Sequence, residues 1–126
     1  MEKQPLLIGI DGGATKVSAW EIILNKLNST FSLGEINSTK SYREIEGYIP
    51  DFKPMDINIQ LSERETSNST ANEKQQEGVY VEACALAIKE LAQKVGTSEV
   101  LLGIGMPGLK TENKRGIAVV ANGPRM

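Results

Sequence analysis

"LIGIDGGATK", Leu7 to Lys16, decides how the rest of the chain is to be read. An apolar run stops at one acid, three tiny residues, a hydroxyl and a lysine. Leu6 to Asp11 is nearly continuously apolar, which suits a central strand buried on both faces, and Gly12-Gly13 ends it. After the turn, Lys16 to Leu24 reads as a second strand, with Val17, Ala19 and Ile23 on one face and Trp20, Ile22 and Leu24 on the other. "DGG" meets the needs of a tight hairpin. The same residues also suit a phosphate cradle. Asp11 closes a buried strand, where an ionised carboxylate is costly unless it is hydrogen-bonded or faces a cation. Gly12, Gly13 and Ala14 let backbone N–H groups come close to an anion, and Thr15 and Lys16 add a hydroxyl and a positive charge. On chemistry alone, hairpin and magnesium-nucleotide cradle are equally good readings.

Downstream, "NKLNST" (25–30) supplies turn residues before a third run, "FSLGEIN" (31–37), so the chain opens as an antiparallel meander. Residues 38–78 change character and form an excursion. Within it Met55, Ile57, Ile59 and Leu61 fall at period two, which predicts a strand or an extended segment. "RETSNSTANEKQQEG" (64–78) has no apolar side chain larger than alanine and predicts a mobile loop running into a helix start. Val79 to Val95 is the clearest helix, with Cys84, Ile88, Leu91 and Val95 on one stripe and Gly96 as C-cap. That stripe makes Cys84 a packing residue rather than a nucleophile. Glu99 to Ile104 gives another short strand, followed by the loop "GMPGLKTENKRG" and the run "IAVVANGPRM".

Composition narrows the function classes. At 126 residues one core is expected, and a formal charge of −2 gives no pull toward nucleic acid or anionic membrane. With no histidine and one cysteine, a Cys/His zinc site and an internal disulfide are both excluded. No signal-peptide pattern and no apolar run of ~18 to 20 residues is present, so a cytoplasmic location is expected. The Asn-Ser-Thr triplets at Asn28, Asn37 and Asn68 then read as turn chemistry. "GIGMPG" (103–108) matches the spacing of a dinucleotide fingerprint, but "LKTENKRG" after it has no apolar helical face to open a helix inside the glycine turn. The Walker spacing occurs nowhere.

"IGIDGGATK", a meander, a helix, "LLGIGMPGL" and "GIAVVANGP" together resemble the N-terminal lobe of the ROK family of repressors, open-reading-frame proteins and sugar kinases, within the actin, sugar kinase and Hsp70 superfamily. The likeness covers about 6–37 and 79–126. In the family's Asp-x-Gly-Gly-Thr-[Lys/Asn] pattern Asp11, Gly13, Thr15 and Lys16 match, and Ala14 replaces the second glycine; its methyl is tolerable where φ is negative. "DGGATK" is also similar to the phosphate loop of the N-acetylglucosamine kinase and BadF-type ATPase branch. The resemblance implies a ribonuclease-H-like, actin-like ATPase lobe whose first hairpin, through Asp11, Gly12, Gly13, Ala14, Thr15 and Lys16, holds the phosphates of ATP. It implies Mg²⁺ at Asp11, held largely through water. It also implies that Gly108 of "MPGL" and Asn122 of "ANGP" border a sugar cleft, although both segments also suit plain turns.

Departures from the family are as informative. Its catalytic aspartate, in a G-[ND]-D-type motif, follows the Asn-x-Pro segment and has no counterpart through Met126; Asp51 and Asp56 lie in the excursion outside any matching motif. The zinc cluster and the repressors' helix-turn-helix are also missing. The expectation is therefore the incomplete N-terminal lobe (1–126) of a bacterial, cytoplasmic sugar kinase. The whole protein would move the γ-phosphate of Mg-ATP to a hexose or amino-sugar hydroxyl, with this stretch alone inactive and no catalytic base named. Alternatives are a non-catalytic assembly module and a BadF-type ATPase lobe. A homo-oligomer, or a C-terminal lobe, is expected to cover the apolar surface of a half-lobe.

Overall fold

In the computed structural model, β1 (Leu6–Gly12) and β2 (Lys16–Asn25) form the expected antiparallel hairpin. Their register runs from Ile8↔Glu21 to Gly12↔Val17, which centres the turn on Ala14-Thr15. The structure describes residues 4–63, 69–106, 108–110, 117–120 and 123–125. β3 (Thr30–Ser41) completes the meander and runs past the expected end of the third strand at Asn37. At its middle, Gly34 to Ile36 bulge opposite Glu21, whose carboxylate lies where a side chain at Gly34 would have to stand. The β2–β3 turn is fastened by Asn28, whose Oδ1 accepts from the Thr30 N–H (3.3 Å) and hydroxyl (2.6 Å), so this triplet is turn chemistry.

The excursion overturns two expectations. Residues 57–62 are helical, not extended: α1 (Ile57–Ser62) starts at Asp56, whose carboxylate accepts from the Asn58 N–H at 2.9 Å. Its buried side chain is Gln60, while Ile57, Ile59 and Leu61 are exposed, so the period-two run does not mark a packed strand. The long helix α2 (Ala71–Val95) begins eight residues before the expected Val79, and 71–78 are therefore helix rather than loop. A capping box between Thr70 and Glu73 starts it and Gly96, at φ +81°, ends it. Residues 64–68 of the expected loop lie outside the described residues.

α2 crosses over the sheet and returns the chain as β4 (Val100–Gly105), parallel to β1. The strand order is β3-β2-β1-β4, a mixed four-stranded sheet with one main helix on one face. β5 (Leu109–Lys110) and β6 (Ile117–Val119) form a separate small antiparallel pair.

The core lies between α2 and the sheet, where Ile8, Ile10, Val17 and Ala19 meet Val79, Ala83, Ala87 and Leu91, with Tyr42 and Tyr80 at one end. The helix is rotated from the expected stripe. Small Ala83 and Ala87 sit over small Ala19, Cys84 and Ile88 stand half-buried at the flank, and Val95 is exposed. Burial pushes the Cys84 thiol up, which favours the neutral form and fits its packing role.

β1 is buried on its α2 side only, contrary to the expected two-sided burial, because nothing among the described residues covers the other face. β4 is more open still: Leu101, Leu102 and Ile104 are 58%, 44% and 55% exposed, although a parallel strand ordinarily has both faces covered. No described helix is long and apolar enough to cross a membrane.

Candidate functional site

The first hairpin tip is fixed from behind. Gly13 N–H donates to the Lys16 carbonyl (2.9 Å), closing a two-residue loop over Ala14 and Thr15. Three successive loop carbonyls are then taken by the body of the protein. The Tyr42 phenol donates to the Gly13 carbonyl at 2.9 Å, the Tyr80 phenol to the Ala14 carbonyl at 3.4 Å, and the Tyr42 N–H to the Thr15 carbonyl at 3.1 Å. In a planar trans peptide the N–H points opposite to the carbonyl before it. The N–H groups of Ala14 and Thr15 are therefore turned outward, and among the described residues neither has a protein acceptor. Ala14, Thr15 and Lys16 are all exposed.

Local sequence explains this conformation. Ser29 is the one described non-glycine residue with positive φ, so Ala14 keeps an ordinary backbone and its methyl costs nothing. At Gly12 the constraint is space rather than φ. A side chain there would meet Met106 Sδ, so Met106, just past the end of β4, lies beside Gly12 at the end of β1. Gly108 adopts φ +110°, a backbone reason for glycine that the turn reading already provides. Pro107 and Asn122 lie outside the described residues.

Asp11 stands exposed on the open face, so the burial cost that first singled it out is absent. Across the sheet it pairs with Ser18 on β2 and Gly105 on β4, and Ser18 Oγ is 3.0 Å from Thr39 Oγ1 on β3. A polar row thus lies at the loop end of an otherwise apolar face. Among the described residues no group of three or more Cys, Asp or Glu converges. A hydrated Mg²⁺ does not need one, since it keeps several waters and takes one or two carboxylates together with substrate phosphates. Two outward amides, an exposed lysine and one carboxylate at the strand end fit a magnesium-complexed phosphate ester.

No family model, curated protein or solved structure matches the chain. An open apolar depression of about 470 Å³ lies at the far end of β1, between Leu6, Leu7, Ile22, Leu24, Val95 and Leu101. Its polar lining residues are Gln4, Glu21, Lys26 and Thr97.

The residues that hold the loop are not visible from the motif. Ser18 could have been placed from the turn alone, since a loop centred on Ala14-Thr15 puts it opposite Asp11. Tyr42 and Tyr80, 29 and 66 residues from the carbonyls they bind, leave no such signal.

Proposed function

We propose that this chain is the phosphate-binding N-terminal lobe of a ROK-type sugar kinase of bacterial carbohydrate metabolism, with a ribonuclease-H-like fold. The outward N–H groups of Ala14 and Thr15 carry the reading. The order of elements supports it, because the resemblance rests on an antiparallel meander followed by a helix and a further strand, and the chain has that order. Bound Mg-ATP supplies the transferable phosphoryl group. Ala14 and Thr15 donate to its phosphate oxygens, the Thr15 hydroxyl and Lys16 add a donor and a charge, and Asp11 orients magnesium-bound water. Such fixed donors act by positioning and charge stabilisation, the main protein contributions to phosphoryl transfer. Gly108 and Asn122 border the sugar in this reading. Asp56 caps α1 and Asp51 lies outside any motif of the family, so neither is assigned as base.

Titration of the ¹⁵N-labelled chain with Mg-ATP tests the reading. Saturable shifts concentrated at residues 11–16 are expected, and an unchanged spectrum at millimolar Mg-ATP would overturn it.

A second reading, a non-catalytic assembly module, is favoured by one observation: β4 offers apolar side chains on both faces and an unpaired edge among the described residues. Sedimentation equilibrium separates the two, because a concentration-independent monomer speaks against the module.

A further inference from the structure

Tyr42 and Tyr80 act as a pair. Their rings stack with centroids 3.9 Å apart and planes 9° apart, and both residues are buried. Burial pushes both phenols up, so each remains a hydrogen-bond donor at neutral pH. Each phenol serves a different carbonyl: Tyr42 holds Gly13 and Tyr80 holds Ala14. Because a peptide plane is rigid, the Gly13 carbonyl sets the direction of the Ala14 N–H, and the Ala14 carbonyl sets that of the Thr15 N–H.

Tyr80 is seated in turn against Gly123. A side chain at Gly123 would stand 3.2 Å from the Tyr80 Oη and 3.3 Å from Cε2, tighter than ordinary contact, and 3.4 Å from Val120 Cγ1. Val120 is itself anchored by Gln60, which donates to the Val120 carbonyl and accepts from the Val120 N–H, both at 2.7 Å.

We infer that Tyr42 and Tyr80 are positioning residues of the hairpin tip, each orienting one anion-binding amide, and that Gly123 couples Val120 to that tip through Tyr80. The inference rests on the phosphate-binding reading for its ligand, but the orientation of the two amides is measurable without one. The coupling also gives the excursion a role, since Gln60 of α1 fixes Val120, and Val120 and Tyr80 both lie against Gly123.

The test uses the full chain, ¹⁵N-labelled, with Tyr42→Phe, Tyr80→Phe and Gly123→Ala. Phenylalanine keeps the stacked ring and removes only the hydroxyl; Gly123→Ala keeps both phenols and crowds one. Residual dipolar couplings report N–H direction, and titration with magnesium pyrophosphate reports affinity. Tyr42→Phe is expected to reorient the Ala14 N–H, and Tyr80→Phe and Gly123→Ala the Thr15 N–H. Each is expected to weaken pyrophosphate binding roughly fivefold, the scale of one lost hydrogen bond. Folded variants in which both amides keep their couplings, or in which the two tyrosine variants perturb the same amide, would overturn the inference. Should Tyr80→Phe fail to fold, Gly123→Ala decides the Thr15 arm by the same criterion. Couplings that respond as stated in a chain that binds no pyrophosphate would overturn the phosphate-binding reading and leave the positioning roles standing.

Discussion

Glu73, in the first turn of α2, grips Arg125 through both carboxylate oxygens. The Arg125 Nε and Nη2 donate to Glu73 Oε2 and Oε1 at 2.7 Å each, and the Arg125 backbone N–H adds a third bond to Oε2 at 3.3 Å. Glu73 Oε1 also accepts from the Thr70 N–H at 3.0 Å. One buried carboxylate therefore starts the long helix and ties down Arg125, two residues after the glycine that lies against Tyr80. Arg125 reaches onward to Glu63 Oε2, just past α1, at 2.7 Å.

This pair makes stability acid-sensitive in a defined window. The side-chain hydrogen bond from Arg125 is the main reason that the Glu73 carboxyl is pulled from its ordinary 4.5 down to about 2. A folded-state value below the unfolded one means that the stabilisation is complete above about pH 4.5 and is lost as pH falls toward 2; it amounts to up to about 3 kcal/mol. Urea unfolding at pH 7, 4 and 2.5 should show that decline. Arg125→Ala should cost roughly 3 kcal/mol at pH 7 and flatten the acid limb, because it leaves a buried carboxylate without its cation. An unchanged acid limb in the variant would assign the sensitivity to other groups.

Gln60→Ala should destabilise by about 2–4 kcal/mol. It removes three hydrogen bonds, one of them to the Met55 carbonyl at 2.6 Å, and leaves the buried Val120 N–H without the Gln60 acceptor and its carbonyl without the Gln60 donor. Amide exchange of Val120 should accelerate while that of β1 and β2 is less affected. Uniform acceleration would mean that the clamp stabilises the whole domain rather than this segment.

How much of this was legible in the sequence depends on what the buried side chains are. The meander was readable from turn residues and alternation, and the tip from "DGGATK", because apolar residues face the core there and small ones mark the turn. α1 and the first two turns of α2 were not. Their inward residues are Gln60, Glu73 and Gln76, buried because they serve backbone or charged groups far away in the chain: Val120, Arg125 and the Ile49 N–H, which Gln76 accepts at 3.1 Å. A hydrophobic periodicity search discards such positions. It then picks up Ile57, Ile59 and Leu61, which are exposed. The outward turn of the loop amides was hidden for a similar reason, since it is fixed by tyrosines remote in sequence.

Gly12→Ala should cost about 1–2 kcal/mol, through displacement of Met106 rather than backbone strain. Combining it with Met106→Ala makes the claim quantitative. The double variant should be more stable than the sum of the single effects by about 1 kcal/mol, and strict additivity would show that Met106 is not the residue displaced.

Ser38 supplies a change of opposite sign. Its hydroxyl, on β3, is buried and has no hydrogen-bond partner among the described residues. Ser38→Ala should therefore raise stability by about 1 kcal/mol, seen as a higher denaturant midpoint at unchanged slope. A lower midpoint would mean that the hydroxyl is satisfied in solution.

The two outer strands of the sheet differ in a way that bears on how molecules of this chain meet. β3 carries Glu35, Lys40 and the bulge at Gly34–Ile36, all of which resist addition of a further strand; β4, Val-Leu-Leu-Gly-Ile-Gly, carries no charge, proline or bulge. Two copies meeting along β4 would present β3 on both outer sides, so association by that edge would end at a pair rather than a fibre.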